Sequence, residues 1–183
     1  YRPFLVKEEK ILLMALEGKD DREMSKAVKQ IITQCVATES FNVNKLPMID
    51  LEYLFLNIRG KAVGDISTIS FEHECGEIIK LDIDLSKVEV VQNKNSSDLV
   101  KITDDIMIRL TPPGIDNVIG AGNKNQIDLV MEIIRNSLLE IIQGEEIFSA
   151  QDHTKAELDE FVNSLNSGQF KKLQDYYESL PKL

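Results

Sequence analysis

The feature that most limits how this chain can fold is a change of hydrophobic period at Gly64. Upstream, apolar residues recur every three or four positions. Ile11, Leu12, Ala15 and Leu16 share one helical face, and Met24, Ala27, Val28, Ile31, Ile32, Cys35 and Val36 form the clearest helical stripe in the chain. Downstream the period drops to two. Ile69, Phe71, His73 and Cys75 alternate with polar residues, Gly76 marks a turn, and Ile79, Leu81, Ile83 and Leu85 alternate with Lys80, Asp82 and Asp84, the pattern of a β-hairpin. Helical and strand-like stretches are segregated, so the expected class is α+β.

Punctuation residues set the helix ends. After Pro3, the Lys7-Glu8-Glu9-Lys10 cluster opens a first helix that Gly18 ends. Asp20 starts the second, with Glu23 spaced to complete a capping-box-like pair. The third is the most apolar: after Pro47, Asp50 is the expected N-cap, Leu51, Leu54, Phe55, Ile58 and Ala62 recur at helical spacing, and Gly64 stops it. Leu56 and Val63 lie off that stripe, so more than one neighbour must cover this helix. Residues 1–64 thus read as an N-terminal three-helix unit.

Residues 65–113 read as an antiparallel β-hairpin region. A short strand is expected around Val88 to Val91, then a polar turn at Asn93-Lys94-Asn95-Ser96-Ser97. A second hairpin follows, with Val100 and Ile102, a turn at Thr103-Asp104-Asp105, then Ile106, Ile108 and Leu110, closed by Pro112-Pro113-Gly114. The two hairpins are expected to form one small sheet, apolar on the face that packs on helices and charged on the other. Residues 124–183 read as a C-terminal helical region. From Lys124 to Gly144 a long helix is expected, with Ile127, Val130, Met131, Ile134, Leu138 and Ile141 in one stripe and Leu129, Ile133, Leu139 and Ile142 widening it; so broad an arc lies inside the fold or beneath another chain. Thr154 with Glu157 forms a capping box for a helix facing inward through Leu158, Phe161, Val162 and Leu165. A last helix carries Phe170, Leu173, Tyr176, Tyr177 and Leu180 until Pro181. This αα-hairpin, residues 152–183, is either an integral packing element or a docking module, and those last five residues are the candidate partner-binding set.

Charge and cysteine usage narrow the function. A formal net charge of −10 with no basic run opposes nucleic-acid binding and anionic membrane surfaces. No apolar run approaches the roughly 20 residues of a spanning helix, and the first residues lack a signal-peptide pattern, so a soluble cytoplasmic protein is expected. The chain opens on helix-leading sequence without Met, so residues are expected upstream of Tyr1. Cys35 and Cys75 are far apart and outside any CxxC, which fits a reducing compartment, although a Cys35–Cys75 disulfide stays open.

No reacting centre stands out. His73 and Cys75 share a strand face and would reach four zinc ligands only with Cys35 and His153, without the spacings that build a zinc site from one element. Cys35 sits in an apolar stripe, where a thiol is a core residue rather than a nucleophile. Asp82 with Asp84 and Asp104 with Asp105 fit a solvated strand face and a turn. Gly120-Ala121-Gly122-Asn123 lacks the GK[ST] of a phosphate loop and the third glycine of a dinucleotide fingerprint. The residues therefore imply a protein that binds proteins, with neither catalytic nor metal-ligating residues and no cofactor. A small hydrolase or metal-dependent enzyme is the alternative, and a self-assembling structural subunit a third.

Three stretches carry a family likeness: Leu46-Pro47-Met48-Ile49-Asp50-Leu51-Glu52-Tyr53-Leu54-Phe55-Leu56-Asn57-Ile58-Arg59-Gly60-Lys61-Ala62-Val63-Gly64-Asp65, the opening Tyr1-Arg2-Pro3-Phe4-Leu5-Val6-Lys7-Glu8-Glu9-Lys10, and the closing Phe170-Lys171-Lys172-Leu173-Gln174 through Leu180-Pro181-Lys182-Leu183. With these, the chain resembles from end to end the baseplate hub assembly proteins of T-even-like tailed phages. These are packing and helix motifs, which identify relatives without exposing chemistry. The resemblance implies a hub assembly chaperone or minor hub component whose partners are other baseplate hub proteins. It also implies action in the host cell cytoplasm during assembly, leaves retention in the virion tail baseplate open, and leaves a homo-oligomer open.

Overall fold

The computed structural model describes residues 1–92, 97–118 and 126–183, and the chain divides into two compact units, Tyr1–Val90 and Val91–Lys182. The class is α+β, with antiparallel pairing in both sheets.

In the first unit, α1 (Val6–Gly18) packs on α2 (Asp21–Cys35), which packs on α3 (Met48–Val63). Ala15, Ala27, Ile31, Ile32, Cys35, Leu51 and Ile58 are buried, as the helical spacing requires. Asp20 caps α2 by accepting from the Arg22 amide at 2.8 Å, whereas Glu23 pairs with Lys26 at 2.7 Å and closes no box. The box-like bond forms at α1 instead, where the Leu5 amide donates to Glu8 at 2.7 Å. Helix α3 starts two residues before Asp50: Pro47 takes the N-cap position, because its ring fixes φ at −55° and it brings no N–H that would need a partner. Gly64, at φ +106°, ends α3 where a side chain would be strained.

A two-stranded ribbon follows, β1 (Ile66–Glu72) with β2 (Ile78–Asp84), closed at its base by the Leu85 amide donating to the Asp65 carbonyl at 2.7 Å. After it comes a 3-10 turn, Leu85–Lys87, held by Asp84. The expected strand around Val88 to Val91 reduces to one bridge, Val91 with Lys182, which ties the two ends of the second unit together.

In the second unit, β3 (Leu99–Lys101) and β4 (Ile106–Leu110) form the expected hairpin, its turn braced by the Thr103 hydroxyl accepting from the Asp105 and Ile106 amides. The two hairpins lie in different sheets, since this one continues through β5 (Leu138–Gln143) and β6 (Glu146–Ser149) in the order β3-β4-β5-β6. The long helix is therefore corrected. After a single turn of helix, α4 (Ile115–Val118), α5 spans Gln126–Ser137 and stops there, and Leu138 to Gln143 become a strand. Two local causes are visible. Gly144 at φ +60° opens a two-residue turn between Gln143 and Glu146, a position that suits glycine in a II′ hairpin. The exposed edge of β4 needs a partner, and Ile141 pairs with Ile108 while Arg109 meets Glu140 at 2.9 Å. The Ile127 side chain, the Gly120-Ala121-Gly122-Asn123 stretch and Asn93 to Ser96 of the polar turn fall outside the described residues.

Helices α6 (Lys155–Ser164) and α7 (Ser167–Ser179) form the C-terminal αα-hairpin, capped by Thr154 and Asn166. They cover the sheet. Ile102, Ile108 and Leu110 share one core with Ile134 and Leu138, with Leu158 and Val162 of α6, and with Leu173 and Tyr176 of α7. Lys172 adds a bond from α7 to the Ile102 carbonyl at 2.7 Å.

Because Leu173 is completely buried in this core, Leu173→Ala should destabilise the second unit by about 2–5 kcal/mol. A denaturation curve should show that loss with the α1–α3 unit unaffected; a loss below about 1 kcal/mol would mean that α7 does not seal the core.

Candidate protein-binding surface

Among the described residues, the ribbon β1–β2 carries a concentration of uncovered apolar side chains, including Ile69, Phe71, Ile79 and Leu81. Its register sets Ile69 opposite Leu81 and Phe71 opposite Ile79, and alternation puts all four on one face with Ile83. They are 38%, 52%, 53% and 53% exposed respectively. The opposite face is more polar, pairing Ser70 with Lys80 and Thr68 with Asp82, the latter by a 2.6 Å hydrogen bond, although Ile66 opposite Asp84 and Ile78 opposite Glu72 are also exposed there. The expectation that the apolar side of this hairpin packs on helices is thus not met. Helix α1 adds uncovered apolar surface, with Val6, Leu13, Met14 and Leu16 exposed although Ala15 is buried. Sequence reading missed both, because periodicity shows which residues share a face and not whether anything lies against it.

The five candidate partner-binding residues are placed differently. Leu173 and Tyr176 are core residues, while Phe170, Tyr177 and Leu180 pack half-buried against the same core. Burial pushes the Tyr176 and Tyr177 phenols up to about 12, with the Ser137 hydroxyl beside Tyr177 acting in the opposite sense. These helices hold the second unit together, and the five residues present no continuous exposed face.

Several residues of chemistry-bearing type have local structural partners. Glu8 is wholly buried, bound by Arg2 at 3.0 Å and Lys7 at 3.4 Å. The Arg2 hydrogen bond, opposed by burial and aided by the Leu5 amide, lowers its carboxyl to about 2, so it stays ionised and is a poor proton acceptor. Arg2 also donates its amide to the Cys35 carbonyl at 2.9 Å, which fastens the N-terminal segment to α2. Cys35 and Cys75 are both free thiols; burial raises the pKa of Cys35, keeping it protonated in the core. His73 and Cys75 meet at the ribbon tip, Nδ1 to Sγ 3.1 Å, while His153 lies beside Glu157 at the start of α6. Asp84 accepts from the Ser86 hydroxyl at 2.6 Å and from Lys87 at 3.1 Å, and these contacts hold its carboxyl below the usual range. Asp104 pairs with Lys101 in the turn. Among the described residues no group of three or more His, Cys, Asp or Glu stands where it could hold a metal ion, and no helix is long and apolar enough to cross a membrane. A cavity of about 390 Å³ between α5 and α6 is lined by Asp128, Met131, Glu132, Arg135, Asp159 and Asn163. Its cation is engaged, since Arg135 binds both oxygens of Asp159 at 2.9 Å.

Two measurements follow from this geometry. An ordinary glutamate titrates near 4.5, so the stabilisation from a Glu8 carboxyl lowered to about 2 is complete above pH 4.5 and disappears as pH falls toward 2. Glu8→Gln should lower the melting temperature at pH 7, and the gap from the parent should close between pH 4.5 and 2; a gap that does not change with pH contradicts the assignment. Phe71→Ser should lower unfolding free energy by no more than about 1 kcal/mol, the scale of its cross-strand pair with Ile79, because the residue is already 53% exposed. A loss of several kcal/mol in chemical denaturation would show that the face is covered within the chain.

The comparisons with known proteins place this surface in context. No curated protein and no solved structure matches the chain. The family model described as T4 bacteriophage base plate protein matches residues 1–183, the whole of the sequence. Matched over its whole length, the chain belongs to the T4 bacteriophage base plate protein family.

Proposed function

We propose that this protein acts in phage tail morphogenesis, in assembly of the central hub of the baseplate, as an assembly chaperone or a minor hub component. Membership of the base plate family supports the setting, and the resemblance of the opening, central and closing sequence stretches to hub assembly proteins supports the step. The observation that carries the reading is the apolar face of Ile69, Phe71, Ile79 and Leu81, left in water on a chain with net charge −10. Apolar surface of this kind is stable in contact with another protein, and strong negative charge keeps free copies dispersed until that protein arrives. Its work is interface formation, with no catalytic step and no cofactor.

As a chaperone, the protein must bind hub subunits more weakly than they bind one another, so that the finished hub releases it. As a component, it stays on the tail. Either way it acts first in the host cytoplasm, where the hub is built. In this reading α6 and α7 support the second unit, and Phe170, Tyr177 and Leu180 can add contact only along their half-exposed edges.

Co-expression of the tagged chain with the hub proteins of its phage, followed by affinity capture, tests this. A stoichiometric complex with at least one hub protein is expected. Indifference to every hub protein, or turnover of a substrate by the purified chain, would end the reading.

A further inference from the structure

We infer that the β1–β2 ribbon docks on a partner protein surface that has an apolar centre and a rim of Lys and Arg. This rests on the assembly role proposed above and adds the place and the chemistry of contact. The apolar centre of the site is the face formed by the cross-strand pairs Ile69 with Leu81 and Phe71 with Ile79, all exposed. Two strands alone are marginal in water, and both outer edges of this ribbon lie outside any strand pairing among the described residues. Something must cover the face for it to stay ordered at work.

Charge decides what covers it. From Asp65 to Asp84 the ribbon carries Asp65, Glu72, Glu74, Glu77, Asp82 and Asp84 against Lys80 alone. Glu72, Glu74 and Glu77 crowd the tip around the His73–Gly76 turn, Asp82 lies on the polar face, and Asp65 and Asp84 flank the base. Glu72, Asp82 and Asp84 lie on the face turned away from the apolar patch, and Asp84 is paired with Lys87, so what opposes a homodimer is the tip, Glu74 and Glu77, together with a net charge of −10 on each copy. An anionic bilayer or a nucleic acid is repelled for the same reason. A protein with a cationic rim is attracted, steered to the ribbon at long range, and then held by burial of the four apolar side chains. The acidic frame has a second effect: it protects an open, apolar strand pair from edge-to-edge aggregation before docking.

The test uses the tagged chain co-expressed singly with each of the other baseplate proteins of its phage, with capture followed by kinetic binding measurements on each complex obtained. The double variant Phe71→Ser with Leu81→Ser should reduce affinity at least about tenfold, the scale of a lost interface anchor, while the melting curve stays close to the parent. The triple variant Glu72→Lys, Glu77→Lys and Asp82→Lys should slow association, and added salt should slow association of the parent but not of the variant. If the parent captures a baseplate protein and both variants bind it equally well, the ribbon is not the contact and the inference fails while the assembly role stands. If the parent captures none, the assembly role itself fails. If light scattering shows the parent as a dimer that the Phe71→Ser, Leu81→Ser variant dissolves, the occupant is a second copy and the inference is overturned.

Discussion

A β-sheet with one apolar face is stable only when that face is taken out of water, at a gain of about 25 cal/mol for each Å² covered. The second unit meets this condition internally. Ile108 and Leu110 of β4, Leu138 of β5 and Ile102 just after β3 share a single core with buried residues of α5, α6 and α7. The ribbon of the first unit has the same alternation and the same kind of residues, yet Ile69, Phe71, Ile79 and Leu81 remain in water. The two hairpins were equivalent candidates for packing, and the difference between them is what gives the molecule a surface to offer.

The ribbon is presented from a tied base. Tyr1 donates its hydroxyl to Asn57 at 3.2 Å and its ring lies beneath the Lys61 ammonium at 4.1 Å, so the N-terminal segment is fastened to α3. Arg2 reaches both Glu8 and the end of α2. The three helices are thereby joined through a few polar contacts in addition to their apolar packing. Helix α3 leads directly into Asp65, whose carbonyl closes the ribbon. An ordered base would limit the conformational entropy lost in the docking inferred above, favouring binding without enlarging the contact.

Several features were legible in the sequence because they depend on neighbours in the chain. The three N-terminal helices, both alternating hairpins, the Thr154–Glu157 capping box and the αα-hairpin all follow from local spacing and local hydrogen bonds. The stretch from Leu138 to Gln143 shows where that reasoning stops. Leu138, Leu139, Ile141 and Ile142 continue a helical stripe from α5 equally well as they make a strand, and short apolar runs carry no period that separates the two. Pairing with β4, including Ile108 opposite Ile141, settled it. The glycine at 144, read as a helix stop, works as the hairpin turn that makes that pairing possible.

By itself the sequence determined the α+β class, the helical and strand faces, and a strongly negative net charge, because these are properties of residue type and spacing. Only the tertiary structure decided which apolar faces are used up in packing. It placed Leu173 and Tyr176 of α7 in a core and left the ribbon face of β1 and β2 open. The reason is physical: an amphipathic pattern specifies that a face must be covered, whereas the covering element comes from elsewhere in the chain or from another protein, and no local period records which.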